Sequence, residues 1–269
     1  MKAKELMSFL IGLSPMEFPD TVDTCKAGDP EKELHKVAVS MFATPDVVRA
    51  AAAWGADLLI VHEPTYYSHQ DIRMEDDVVT AKKRELLQQS GVTLYRYHDH
   101  AHAIVPDLVC EGELTTLGLH GTVERKEYGI HWITLDEPIT PRELAKKMQN
   151  VLKIAHPRIC GTMDAPITKI SCCFGTPGSV FEELRNSEVE LVMTGEACEW
   201  MLGEYARDAD QLGMTKSLII MGHIGSERDG MRLLARQIPE EFPELDARYF
   251  ECGEVYSYVE TPKKATEAE

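Results

Sequence analysis

Apolar residues in this chain fall into short dense blocks, each followed by a polar tip and then by a longer amphipathic stretch. That rhythm predicts alternating strands and helices in a layered α/β architecture. Lys36–Met41 and Leu58–Val61 read as strands joined by a helix over Pro45–Trp54. Thr44 is placed as the N-cap of that helix, Pro45 presets φ at its first position, and Gly55 ends it. A polar stretch from Ser68 to Asp77 leads to a helix over Val79–Ser90, closed by Gly91, and then to a strand over Val92–Tyr97. A helix over Asp107–Leu117 completes a first lobe, bounded at 1–125.

The stretch Glu124–Pro166 is less regular, with a strand over Ile130–Leu135 and a helix over Pro141–Leu152. The rhythm then resumes. Lys169–Phe174 is a predicted strand, Gly175–Gly178 a turn and Ser179–Arg185 a helix. Strands at Leu191–Thr194 and Leu218–Met221 flank a helix over Cys198–Gln211. A helix over Ser226–Gln237 and a strand over Arg248–Cys252 close a second lobe, 126–260. The opening residues MKAKELMSFLIGL read as an amphipathic helix available to pack on that lobe, and not as a signal peptide. Residues 261–269 are polar and expected to fray.

Composition narrows the function classes. Lys and Arg number 28 against 45 Asp and Glu, for a formal charge of −17, so general binding to a polyphosphate backbone is not expected. Apolar residues make up 43% and come in periodic blocks, which argues against disorder. No apolar run approaches the roughly eighteen residues that a membrane span needs. The seven cysteines are odd in number and form no CxxC pair, so reduced thiols in a cytoplasmic protein are expected.

The histidines carry the candidate chemistry. His62, with Glu63 beside it, follows the Leu58–Val61 block; His98, His100 and His102 follow Val92–Tyr97; His223 follows Leu218–Met221. Three strands thus deliver imidazole at their carboxyl ends, the edge at which open α/β sheets bind ligands. Each position has an ordinary reading by itself. A His after a strand commonly bonds a backbone carbonyl, Ser226 suits an N-cap, and Glu227 suits a first-turn carboxylate beside a helix dipole. Their convergence points instead to metal. Imidazole and carboxylate together suit Zn, Mn, Fe, Co or Ni, and the set exceeds the ligands of one catalytic zinc. It suits two ions. His35, His69, His120, His131 and His156 show no such placement and are left as surface or core residues. The Gly175–Gly178 segment has no Lys after it and reads as a plain turn.

These segments resemble the Nif-three-like dinuclear metal-centre proteins, often labelled GTP cyclohydrolase type-two homologues. Gly55-Ala-Asp-Leu-Leu-Ile-Val-His-Glu-Pro64 is similar to that family's His-His-Pro strand end. Tyr97-His-Asp-His-Ala-His102 with Leu117-Gly-Leu119, Met193-Thr-Gly-Glu196, and Gly222-His-Ile-Gly-Ser-Glu227 match its later segments in order, over nearly the whole chain. The resemblance puts His62, Glu63, His102, His223 and Glu227 on metal-ligand positions, and His98 on the His that opens the second segment. Two places depart from the pattern. Glu63 stands where the family has a second His, and His102 where it has Asp, which preserves a tally of three His and two carboxylates. Alternatively, Asp99 supplies the carboxylate and His102 lies outside the ligand set.

The resemblance implies an α/β fold of two similar lobes with mixed sheets facing a shared metal cleft. It also implies two divalent ions per chain and a toroidal homohexamer built as a trimer of dimers. The leading expectation is a metal-dependent hydrolase of a small nucleotide or phosphoester substrate, with Glu227 touching both ions and His98 as a ligand or proton carrier, these two being the candidate catalytic residues. A non-catalytic metal-binding scaffold or regulatory ring is the second reading, and ring opening of GTP the third.

Overall fold

The computed structural model describes residues 1–72 and 76–259; the expected frayed tail at 261–269 lies outside the described residues. The chain opens with α1 (Ala3–Gly12) and a short strand, β1 (Cys25–Ala27). Then come β2 (Lys36–Ser40), α2 (Pro45–Trp54), β3 (Leu58–Val61), α3 (Val78–Ser90) and β4 (Thr93–Arg96). The local signals hold well here. Thr44 Oγ1 accepts from the Val47 N–H at 3.2 Å, and Gly55 closes α2 at φ 80°.

With β11 (Asp246–Tyr249), these strands make a five-stranded sheet in the order β1-β4-β3-β2-β11, parallel except for β1. Near-continuous apolar strands suit a parallel sheet covered on both faces. Successive residues do face opposite sides: Val37, Val39, Leu58 and Ile60 enter one core, whereas Ala38, Leu59, Val61 and Leu94 enter another, beneath α2 and α3.

After β4 come two helices, α4 (Asp99–Ala103) and α5 (Leu108–Leu117), and a hairpin of β5 (Gly121–Glu127) and β6 (Ile130–Ile139). Then follow α6 (Pro141–Lys147), β7 (Arg158–Gly161), β8 (Ile167–Cys173), α7 (Val180–Arg185), β9 (Leu191–Thr194), α8 (Glu204–Gln211), β10 (Ser217–Ile220) and α9 (His223–Glu241). The second sheet has six strands in the order β5-β6-β8-β9-β10-β7, with β8, β9 and β10 parallel and the rest antiparallel. The predicted helix over Pro141–Leu152 finishes as a π turn at Met148–Leu152, and the one over Cys198–Gln211 begins with a π turn at Glu199–Gly203. The three strands that the periodicity did not predict, β1, β5 and β7, are short or exposed edges.

The sheets exchange elements across the expected boundary. The division at 125/126 falls inside β5, and β11 pairs in register with β2 although its sequence follows the second lobe. Helix α5 places Val109, Leu114 and Leu117 in the core of the second sheet, while α9 places Met231, Leu234 and Ile238 in the core of the first, beside Leu6 and Leu10 of α1. The two helices cross in close contact. A Cβ on Gly112 would lie 2.4 Å from the Gly230 backbone nitrogen, so only glycine permits the approach. Among the described residues, no helix is long and apolar enough to cross a membrane.

Candidate metal centre

The carboxyl ends of β3 and β4 in one sheet, and of β8, β9 and β10 in the other, converge on one cluster of side chains. His62 leaves β3 fully buried. Its backbone N–H and that of Glu63 both donate to the Met41 carbonyl, at 3.1 and 2.9 Å. Its Nδ1 donates to the Tyr97 carbonyl at 3.0 Å, because a carbonyl only accepts. That fixes the tautomer and leaves the Nε2 lone pair aimed into the cluster, 3.8 Å from Glu227 Oε2 and without a hydrogen-bond partner. Burial, reinforced by His98 and His102, pushes the His62 pKa well below the usual range, so the ring is neutral and able to ligate.

The second segment differs from its expected form. The alternation of His98, His100 and His102 suggests a strand end, yet these residues form the single helical turn α4. The cause lies 75 residues upstream: Asp23 accepts backbone N–H bonds from His98, Asp99 and His100 at 2.6, 3.0 and 2.8 Å. This carboxylate also takes the His100 Nδ1 at 2.7 Å, drawing that ring aside. His98 and His102, one turn apart, face His62 instead, with ring centroids 4.6 and 5.0 Å away. The His102 Nδ1 lies 3.2 Å from Asp107 Oδ2, whose other oxygen caps α5 by accepting from Val109 and Cys110. Burial opposes a charge on His102, but Asp107 outweighs it and raises the pKa to about 9.

Asp99 lies apart from the group that His62, His98 and His102 form. Its carboxylate is engaged by Thr21 Oγ1, the Val22 N–H and His98 Nδ1, and its ligand atoms group with those of His98 and His69.

His223 and Glu227 come from the first turn of α9, which starts three residues before the predicted Ser226. Ser226 is therefore not the N-cap; its Oγ accepts from the Gly175 N–H and donates to the His223 carbonyl. His223 Nδ1 meets Glu196 Oε1 at 2.8 Å, and its Nε2 lies 2.7 Å from Glu63 Oε1 and 3.2 Å from Glu227 Oε2. Burial opposes protonation of this ring, but the Glu227 and Glu63 carboxylates raise its pKa to about 12. Burial likewise opposes ionisation of Glu63, yet the His223 hydrogen bond holds its carboxyl well below the usual range. Buried Arg96 donates from Nε to the His62 carbonyl at 3.0 Å and brings Nη2 to 4.0 Å from Glu63 Oε2. Glu227 Oε1 is 3.8 Å from His102 Nε2, and its Oε2, like His62 Nε2, is buried without a hydrogen-bond partner.

Such orphaned donor atoms are costly unless something else binds them. A metal ion fits. The ligand atoms of His62, His98 and His102 lie within 4.8 Å of one another, as do those of His62, Glu63 and Glu227. All six residues singled out in the sequence are thus brought together, and imidazole with carboxylate is a donor set for divalent transition metals. Asp23, Asp107, Arg96 and Gly175 are the contributors that sequence reading passed over. Glu196 stood in a quoted motif without a role, and His69 was set aside although its ring is 5.2 Å from that of His98.

The chain is 22% identical over 248 residues to a GTP cyclohydrolase 1 type 2 homolog of Clostridium acetobutylicum, covering 88% of this chain and 90% of that one. Its fold is similar to that of the protein ybgI, described as of unknown function, with a TM-score of 0.77 at 23% identity and coverage of 94% and 99%. A Bacillus cereus protein related to NIF3 gives a TM-score of 0.75 at 13% identity, covering 97% and 99%. A family model matches residues 1–253, and the chain belongs to the Duf34/NIF3 (NGG1p interacting factor 3) family.

Proposed function

We propose that this protein binds two divalent metal ions per chain and uses them to hydrolyse a small nucleotide or phosphoester substrate. The observation that supports this reading is the size of the donor set: His98 and His102 in one group, and Glu63 and Glu227 in another, surround the single free nitrogen of His62, more ligands than one catalytic ion takes. His223, within 3.2 Å of Glu227, joins the second group. Zn, Mn, Fe, Co and Ni all suit these donors. Bound there, such ions would supply Lewis acidity able to activate water for hydrolysis near neutral pH.

The protein's own part is orientation and proton handling. The Glu227 carboxylate stands between His62, His102 and His223 and would be the carboxylate able to contact more than one ion. Asp107 and Glu196 hold the far nitrogens of His102 and His223, fixing which face of each ring meets the cluster. His98 is only partly buried and bonds Asp99 through Nδ1, which suits a ligand or a proton carrier between the cluster and solvent. A homohexamer, carried by the resemblance in sequence, and a cytoplasmic setting, carried by the unpaired cysteines, belong to the same reading.

Elemental analysis of the purified protein beside its native mass is the first test, with two metals per chain in a hexamer expected. A panel of nucleotides and phosphoesters, assayed with each metal in turn, then tests turnover. Activity that survives the joint loss of His62 and Glu227 overturns the hydrolase. Stoichiometric metal without turnover leaves a scaffold. The names of the curated relatives call for GTP in that panel, read by formate release.

A further inference from the structure

His98 stands at a boundary. It belongs to the group with His62 and His102, and also to a second group with His69 and Asp99, whose ligand atoms lie within 4.8 Å of one another. Its Nδ1 faces Asp99 Oδ1 at 3.0 Å, which leaves Nε2 to the buried side. Two donors each about 2.0–2.2 Å from one zinc-like ion stand roughly 3.0–3.5 Å apart, so this spacing fits an ion as well as a proton. A hydrogen bond accounts for His98 and Asp99 but not for His69, an exposed residue whose ring meets that of His98 edge-on at 5.2 Å. Buried groups hold the turn that carries it. Arg96 donates through Nη1 to the His69 carbonyl, and the Asp71 carboxylate accepts from the Tyr66 N–H at 2.9 Å and pairs with Lys26 at 3.0 Å. Arg96 brings no unbalanced charge, lying 3.7 Å from Asp71 and 4.0 Å from Glu63. Opposite, Asp99 Oδ2 accepts from Thr21 Oγ1 and the Val22 N–H, which turns Oδ1 towards His98. Both arms are thus set in place by groups outside the three residues.

We propose that His69, His98 and Asp99 form an outer site for a divalent transition-metal ion, distinct from the buried donor groups and open to solvent on the His69 side. Two imidazoles and one carboxylate suit Zn, Co or Ni and match poorly the all-oxygen preference of Mg and Ca. Three protein donors leave the remaining positions to water. An ion there exchanges with solvent and binds more weakly than one held by buried residues. A neutral imidazole has a single lone pair, so filling the outer site puts the His98 proton on Nε2 and withdraws that nitrogen from the buried group. His62, Glu63, His102, His223 and Glu227 remain to that group.

The test titrates the full metal-free chain with Co(II), read by equilibrium dialysis and visible absorption. His69→Ala removes an exposed ring and keeps the backbone carbonyl that Arg96 holds, and circular dichroism checks its fold. The wild type is expected to take up one more Co(II) per chain than this variant, the missing ion being the most weakly held. Equal uptake with equal affinities overturns the proposal. His35→Ala removes another exposed histidine, at the amino end of β2 and away from the site, and is expected to leave uptake unchanged. A loss equal to that of His69→Ala marks adventitious surface binding and overturns the proposal. His69→Cys is expected to restore the ion and to add a thiolate-to-cobalt charge-transfer band beyond any in the wild type; without that band, residue 69 does not touch the ion and the site falls. None of these readouts is turnover, and the buried donors are intact in every variant, so failure here is distinct from failure of the hydrolase.

Discussion

Gly175 and Glu227 occupy a space with room for only one side chain. A Cβ on Gly175 would lie 2.3 Å from Glu227 Oε1 and 3.0 Å from its Cδ. The turn cannot retreat, because the Gly175 N–H donates to Ser226 Oγ and its carbonyl accepts from Gly195 and Glu196. Gly175 also has φ +65°, a region that costs an L-residue about 1–2 kcal/mol. Gly175→Ala is therefore expected to displace the Glu227 carboxylate and cut metal affinity by roughly tenfold or more. Chelator competition measures the affinity, and urea denaturation of the metal-free protein measures the strain. Wild-type values for both would show that the carboxylate has another place to go.

His62 belongs to both donor groups and His98 to only one of the two that meet there. His62 offers its one free nitrogen at the buried centre of the cluster and His98 is only partly buried, so loss of His62 is expected to lower metal content more than loss of His98. Elemental analysis of His62→Ala and His98→Ala, purified side by side, decides this. Equal metal content in the two variants would contradict a central place for His62. Both proteins are expected to fold, since β3 is held by its apolar residues and its ladder with β2 and β4.

His62, His98 and His223 were legible in sequence because each stands just past a short apolar strand, a signal confined to a few neighbouring residues, whereas His102 and Glu227 took their ligand roles from the resemblance. What holds them was not. Asp23 shapes α4 from 75 residues away, and its sequence surroundings carry no capping pattern aimed at His98. The spacing of His98, His100 and His102 fits both a strand and a helical turn, so only that distant carboxylate decides between them. The placement of β11 beside β2 is a pairing between chain ends, invisible to any local pattern. By contrast, α2 and β3 were predicted with their observed limits, because their caps and apolar runs are local.

Asp107 offers a way to separate folding from ligand orientation. One of its oxygens caps α5 through Val109 and Cys110, and the other meets His102 Nδ1 at 3.2 Å. Asparagine is as good an N-cap as aspartate but carries no charge to orient or polarise the imidazole. Asp107→Asn is thus expected to keep α5 intact by circular dichroism while metal affinity falls about 10–100-fold. Unchanged affinity would mean that His102 needs no partner to ligate, or does not ligate.

Glu113 gives the pH dependence its sign. It is wholly buried on α5 against α9, with Oε1 accepting from the Asp229 N–H at 3.0 Å and Oε2 without a partner. Burial first, and then the Asp229 carboxylate, push its pKa well above the usual range. The folded state therefore keeps a proton that the unfolded chain releases near about pH 4.3. Stability from this group is complete below that value and is lost as pH rises towards the folded pKa, at about 1.4 kcal/mol per pH unit. Glu113→Gln keeps the acceptor for Asp229 and has no proton to lose. Urea denaturation of the metal-free proteins from about pH 5 to 8 should show the variant gaining on the wild type as pH rises. A difference that stays constant across that range would mean that Glu113 ionises as readily in the folded protein as in the unfolded chain.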